Sequence, residues 1–260
     1  MYSEMPRVLA ARASKAPSNV VGRPDDTLLR RFDANFATLP ADTPERVKLA
    51  QRIRYQVYCV ENPHEKADSL DGVESDEYDS HSIHSILVYR QAHAALGTVR
   101  LILPLSDELE RSFAMHRLLD PSALRELRKL PLHSAAEVSR FSISRQFRRI
   151  ADALGETEQS TFVSNSGPLM RLGLIQGLVR MSSQYGITHW CALMEPTLLR
   201  MLAAMAIRFV PVGPMVEFRG FRQPCYCSVA DILDAVKRER PAFWSVLTDG
   251  GSLMAGVPAG

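Results

Sequence analysis

Between residues 31 and 39, Phe32, Ala34, Phe36 and Thr38 alternate with Arg31, Asp33 and Asn35, a period of two that predicts a half-buried strand. The pattern changes at Thr43-Pro44-Glu45, where an N-cap residue, a first-turn proline and an early acidic residue open a helix. Val47, Ala50, Ile53 and Val57 then recur at spacings of three and four, which carries that helix to about Tyr58. Residues 83–90 and 97–103 are dense in β-branched and apolar side chains, and the short link between them predicts a hairpin. Residues 106–129 are polar and helix-prone, with no strand signal. Residues 136–144 read as another strand. After a Gly- and Ser-containing loop, Pro168 opens a strongly apolar helix that ends at Gly186. Residues 189–194 read as a buried strand and 196–206 as a short helix, followed by hairpin strands over 208–219 and 223–228. In the last helix, Ser228 is the cap, Asp231 sits at the capping-box position, and Val229, Ile232, Leu233 and Val236 form one stripe before Pro241.

This order of strands and helices implies an α/β (α+β) fold, a mixed sheet with helices on both faces. No internal repeat or linker-like segment divides it, so one domain over residues 27–245 is expected. Residues 1–26 are expected to be a disordered tail and 246–260 a C-terminal tail. A chain of 260 residues with 46% hydrophobic and 23% charged residues has the composition of a globular protein. Its net charge of +2 gives no argument for a nucleic acid partner. The richest apolar stretch, residues 190–212, is broken by Glu195, Arg200 and Arg208, so no membrane span is expected. The early arginines and serines lack the apolar core of a signal peptide, so a cytoplasmic location is expected. The cysteines form no CxxC pair and suit reduced thiols.

Arg54 and Tyr58 are four residues apart and share a helix face. Glu74, Asp76 and Asp79 form an acidic run, Arg100 lies in Gly97-Thr98-Val99-Arg100, and Glu137 and Arg140 lie in Glu137-Val138-Ser139-Arg140-Phe141. In this order the residues resemble the signature of acyl-homoserine-lactone (autoinducer) synthases. That signature is an Arg followed four residues on by an aromatic, a D-x-x-D pair, a strand ending in Arg, and an E-x-x-R strand. Residues 54–59 and 74–82, with His189-Trp190-x-Ala192-x-Met194-Glu195-Pro196, look closer still to the acyltransferases associated with PEP-CTERM/exosortase systems, relatives of N-acyl amino acid synthases. The resemblance covers roughly residues 30 to 228 and implies the GNAT fold.

What the resemblance implies is acyl transfer from a thioester carrier to the amine of an amino acid or similar small molecule, with no tightly bound cofactor and no metal. Glu137 and Arg100 are the expected catalytic residues, Glu137 taking the amine proton directly or through water. Arg54, Tyr58, Glu74, Asp76, Asp79 and Arg140 are the expected substrate-binding set. The arginines either read a substrate carboxylate bidentately or hold Asp76 and Asp79 in place. Residues 59–70 contain no aromatic where autoinducer synthases carry a Trp, which points away from S-adenosylmethionine and lactone formation. The glycine loop with which coenzyme A users hold pyrophosphate is also missing, and Arg145-Gln146-Phe147-Arg148-Arg149 follows the strand instead. That favours acyl carrier protein over acyl-CoA as donor, with Arg145, Arg148 and Arg149 as its docking site. The rival readings are a lactone-forming synthase, a conventional acyl-CoA transferase and a non-catalytic acyl-binding module. Asp76, Asp79, His81 and His84 look like a metal cluster but read better as a polar loop entering a strand, where His81 and His84 face apart.

Glu137 and Arg140 have an odd separation, which puts them on opposite faces of a flat strand. If both line one cleft, the strand contains a bulge between Val138 and Phe141.

Overall fold

A computed structural model describes residues 26–62, 71–153 and 165–256. Helix α1 (Asp26–Asn35) leads into β1 (Phe36–Pro40), and α2 (Pro44–Tyr55) runs on into a π-helical turn, Gln56–Glu61. The hairpin β2 (Ser82–Tyr89) and β3 (Ala94–Ile102) follows, then α3 (Pro121–Leu127) and β4 (Ala135–Ile143). Helices α4 (Gln146–Ala153) and α5 (Gly167–Tyr185) precede β5 (His189–Met194) and α6 (Pro196–Ala204). The described chain closes with β6 (Val210–Pro211), β7 (Val216–Glu217), β8 (Phe221–Ser228), α7 (Val229–Glu239) and α8 (Pro241–Leu247).

The eight strands make one mixed sheet in the order β1-β2-β3-β4-β5-β8-β6, with β7 paired to β8. Strand β2 shows why helices cover both faces. Leu87 and Tyr89 enter the core beneath α5, while Ile86 and Val88 pack with Leu49, Ala50, Ile53 and Val57 of α2 and its extension. Helix α5 comes so close to β2 that a Cβ on Gly173 would lie 2.6 Å from Leu87 Cδ1, and one on Gly177 would meet Ser85 Oγ and, at 2.7 Å, Ser85 Cβ. Gly177→Ala should therefore cost about 1 kcal/mol, because overpacking against the sheet outweighs the better helix propensity of Ala. Thermal denaturation checks this, and a rise in Tm would show that the helix can move outward freely.

Three sequence expectations differ from the structure. The alternation over 31–39 begins in a helix, since Phe32 and Phe36 are also one helical turn apart and their rings pack at 5.7 Å. The expected strand over 208–219 reduces to two short pairings, with Gly213 (φ 62°) and Pro214 between them. The packed structure also extends past residue 245: Val246 and Leu247 are fully buried in the main core, and a 3₁₀ turn follows at Ser252–Gly256. The N-terminal segment 1–25 lies outside the described residues. No described helix is long and apolar enough to cross a membrane.

Candidate active site

Strands β4 and β5 run parallel and pair only from Ala135–His189 to Glu137–Cys191. Beyond that point β4 stays on β3 to Ile143, while β5 stays on β8 to Met194, so the two strands separate. A cleft of about 1100 Å³ opens in the gap, walled by both strands, the π-helical turn, the ends of α5 and α6, and the β7–β8 turn. Glu137 stands at the vertex.

The bulge is present. Thr98 pairs with Ser142 and Arg100 with Ser139, so Val99 alone faces Arg140 and Phe141. Arg140 takes a left-handed conformation (φ 52°), which costs a non-glycine residue of order 1 kcal/mol. That turn brings Arg140 to the same cleft as Glu137.

Beneath the cleft wall, three arginines and three carboxylates alternate in a closed ring. Arg54 Nε donates to Glu74, and Glu74 Oε1 accepts from Arg140 Nη2 at 2.6 Å. Arg140 Nη2 also reaches Asp76 Oδ2 at 2.9 Å, and Asp76 takes two parallel bonds from Arg100 at 2.6 and 2.9 Å. Arg100 bonds Asp79 Oδ1 at 2.9 Å, and Asp79 returns to Arg54 at 2.5 and 3.1 Å. The remaining Arg100 nitrogen, Nε, donates to Ser139 Oγ at 2.9 Å. Asp76 and Asp79 also form a reciprocal cap on the 3₁₀ turn Glu77–His81, which fixes the acidic loop to the ring. Arg54 and Arg100 are almost wholly buried.

Burial alone would raise the Glu74 carboxyl, but hydrogen bonds from Arg140 and Arg54 outweigh it and hold the pKa at about 2. Burial opposes ionisation of Asp79 too, and Arg54 and Arg100 drive it well below the usual carboxylate range. Glu137 goes the other way. Burial pushes it up to about 7, against one backbone hydrogen bond (Met115 N–H to Oε2, 2.9 Å) and the attraction of Arg100 and Arg140. The ring carries as many negative as positive charges, so its net field on Glu137 is too small to reverse the burial effect.

The remaining sequence candidates divide. Tyr58 lies in the π-helical turn, with the Arg140 guanidinium 5.5 Å from its ring centroid. His84 approaches Asp79 at 3.5 Å from inside the sheet, whereas His81 bonds Ser112 O, so the two histidines do point apart. Burial, then the nearby Arg54 charge, lowers His84 to about 4. No group of three or more His, Cys, Asp or Glu suited to a metal occurs among the described residues. Arg145 and Arg148 stand exposed at the cleft, while Arg149 is exposed on α4 outside its lining. The Arg145 N–H is held by Glu61 Oε2 at 2.9 Å. Sequence reasoning missed Met115, whose backbone serves Glu137, and Tyr78, which lines the cleft between Asp76 and Asp79. Tyr78 could have been found as the single aromatic inside the acidic run.

Residues 53–155 match the acetyltransferase (GNAT) domain. The fold is the GNAT fold. The chain thus carries an acyltransferase domain. Solved GNAT-fold structures similar to it include TofI, crystallised in a ternary complex with an inhibitor and MTA (TM-score 0.53, 17% identity, covering 79% of this chain and 98% of that one). BjaI, a CoA-dependent acyl-homoserine lactone synthase crystallised with SAM and isopentyl-CoA, superposes with a TM-score of 0.52 at 19% identity, over 86% of this chain and 90% of its own. FeeM, an N-acyl amino acid synthase from uncultured soil microbes, gives 0.51 at 14% identity, over 77% and 95%. Among curated proteins, none matches the sequence.

Proposed function

We propose that this GNAT domain transfers an acyl chain from an acyl carrier protein thioester to the amine of an amino acid or similar small molecule. The observation that carries the reading is Glu137, a buried carboxyl held near pKa 7 at the vertex where β4 and β5 part. A base poised near neutrality is what an incoming ammonium group needs. The amine gives up one proton before attack and a second as its nitrogen bonds the thioester carbon. One proton ends on the departing sulfur and the other goes to solvent. Protonated Glu137, near 7, can hand its proton to a thiolate whose ordinary pKa is about 8.5, so the return step runs downhill. The edge of β4 that lacks a β5 partner after Glu137 offers backbone N–H groups to the developing oxyanion. The ring arginines are already engaged with Glu74, Asp76 and Asp79, so we assign Arg54, Arg100 and Arg140 to holding the site's wall, with Tyr58 packed on Arg140.

Arg145 and Arg148 at the mouth, with Arg149 beside them, suit an acidic carrier. Carrier thioesters should therefore exceed the matching acyl-CoA in kcat/KM. Arg148→Glu together with Arg149→Glu should narrow that preference through KM. Added salt should narrow it as well, since the Debye length is about 8 Å at physiological ionic strength. Thiol release measured with both donors, and mass spectrometry of the amide formed, test the reading. Equal use of both donors without a salt effect would sink carrier docking, and no amide from either donor would sink the acyl transfer itself.

A further inference from the structure

Tyr78 is buried in the wall of the cleft, and its hydroxyl has no hydrogen-bond partner among the described residues. Native proteins seldom leave a buried hydroxyl unpaired, so such a group asks for a functional explanation. Its placement is tightly controlled. Asp76 Oδ1 accepts the Tyr78 N–H at 3.0 Å, and Asp76 and Asp79, on either side of it, are the carboxylates that grip Arg100. The ring of ion pairs therefore fixes the turn that presents Tyr78.

The same local structure holds Glu137. The 3₁₀ turn Ala114–Arg117 donates its Met115 N–H to Glu137 and lays the Arg117 guanidinium 5.4 Å from the centroid of the Tyr78 ring. Tyr78 and Met115 also share one apolar cluster with Cys191, the β5 partner of Glu137. Charged or titratable groups around Glu137 are Arg100 from β3, Arg140 from β4, Asp76 from the acidic loop, Cys191 from β5 and Tyr78 itself. Oε2 of Glu137 takes the Met115 bond, and no described group donates to Oε1.

We propose that Tyr78 is a positioning residue for Glu137, its hydroxyl donating to the second carboxylate oxygen as the carboxyl ionises. No bond joins the two groups in this structure, so the contact closes as charge develops on the carboxylate. Burial raises the phenol above its ordinary range, opposed by Arg117 and assisted by the charges of Glu77, Glu137 and Asp76. The hydroxyl therefore stays protonated and acts as a donor, not as a proton shuttle. This role rests on Glu137 being the base, as proposed above.

The experiment is a ¹³C titration of the carboxyl-labelled protein, with Glu137→Gln used to assign the Glu137 resonance, in wild type and Tyr78→Phe. A donor to the charged form lowers a carboxyl pKa, so its loss should raise the Glu137 pKa by about one unit. The acidic limb of the thiol-release profile should move by the same amount, a fall of about tenfold on that limb with donor KM unchanged. Well below pH 7, where Glu137 is protonated and the contact open, Tyr78→Phe should melt no lower than wild type, because there it removes an unpaired buried hydroxyl. An unchanged Glu137 titration overturns the inference, as does a lower melting temperature in that acidic range, which would mark the hydroxyl as structural. The titration needs no turnover, so an inactive wild type would overturn the acyl-transfer reading without affecting this result.

Discussion

Glu137→Gln is expected to slow amide formation by about 100-fold or more while making the protein more stable at alkaline pH. The rate effect follows from removing the proposed general base while keeping its volume and an oxygen that can still accept the Met115 N–H. The stability effect follows from linkage. Glu137 has a folded pKa raised to about 7 from an ordinary 4.5, so the folded state holds its proton more tightly than the unfolded chain does. Its contribution to stability is full below the unfolded pKa and is lost as pH rises through 7. Gln carries no such penalty. The melting difference between mutant and wild type should be near zero at pH 4 and favour the mutant at pH 8. A mutant with near-normal rate would remove Glu137 from the chemistry, and one that melts lower at pH 8 would show that its carboxylate is well solvated.

The largest stability loss should come from opening the ion-pair ring. Arg100→Met removes a buried cation that contacts both Asp76 and Asp79, leaving excess negative charge on carboxylates that are themselves largely buried. Breaking one partner out of a buried charge network costs about 3–5 kcal/mol. Adding Asp79→Asn to Arg100→Met restores charge balance and should recover part of that loss, a non-additivity readable in a double-mutant cycle. If Arg100 instead reads a substrate carboxylate, the single mutant will fold normally and only KM will rise. Wild type should respond to acid through the same ring. Glu74 and Asp79 have depressed pKa values, so their stabilisation is present above the ordinary carboxylate range and fades as pH drops from about 4.5 toward 2. Chemical denaturation across that window checks the sign.

Much of this architecture was legible because it rests on local signals. The strands from β2 to β5, the Pro168 start of α5 and the Ser228 cap are encoded by periodicity and by single punctuating residues. The bulge was legible for a different reason: two residues expected in one cleft had an odd spacing, and only an extra residue reconciles them. The α1–β1 boundary was not legible, because Phe32 and Phe36 satisfy a strand face and a helix face equally well in so short a run. The pairing within the site could not be read either. Residues 54, 74, 76, 79, 100 and 140 are named by the sequence, but which arginine meets which carboxylate is decided where α2, the acidic loop, β3 and β4 converge. Tyr78 and Met115 escaped because one acts through an unpaired hydroxyl and the other through a backbone amide.

Gln176, buried midway along α5, carries a consequence for how the chain assembles. Its side chain accepts from the Thr38 hydroxyl on β1 and donates to the Val246 carbonyl on α8, each at 2.7 Å. One amide thus joins the first strand of the sheet to the last described helix. Both partners are buried or nearly so, and a missing one would leave a dry polar group unpaired. During synthesis, the face of α5 that α8 covers stays open until residues 241–247 have emerged, however early β1 to β4 and α2 have formed. Such exposed apolar surface is what holds nascent chains in aggregation-prone intermediates. Cooperative completion is thereby deferred to the arrival of α8, after the last residues that line the cleft, Arg219 and Arg222, have been made.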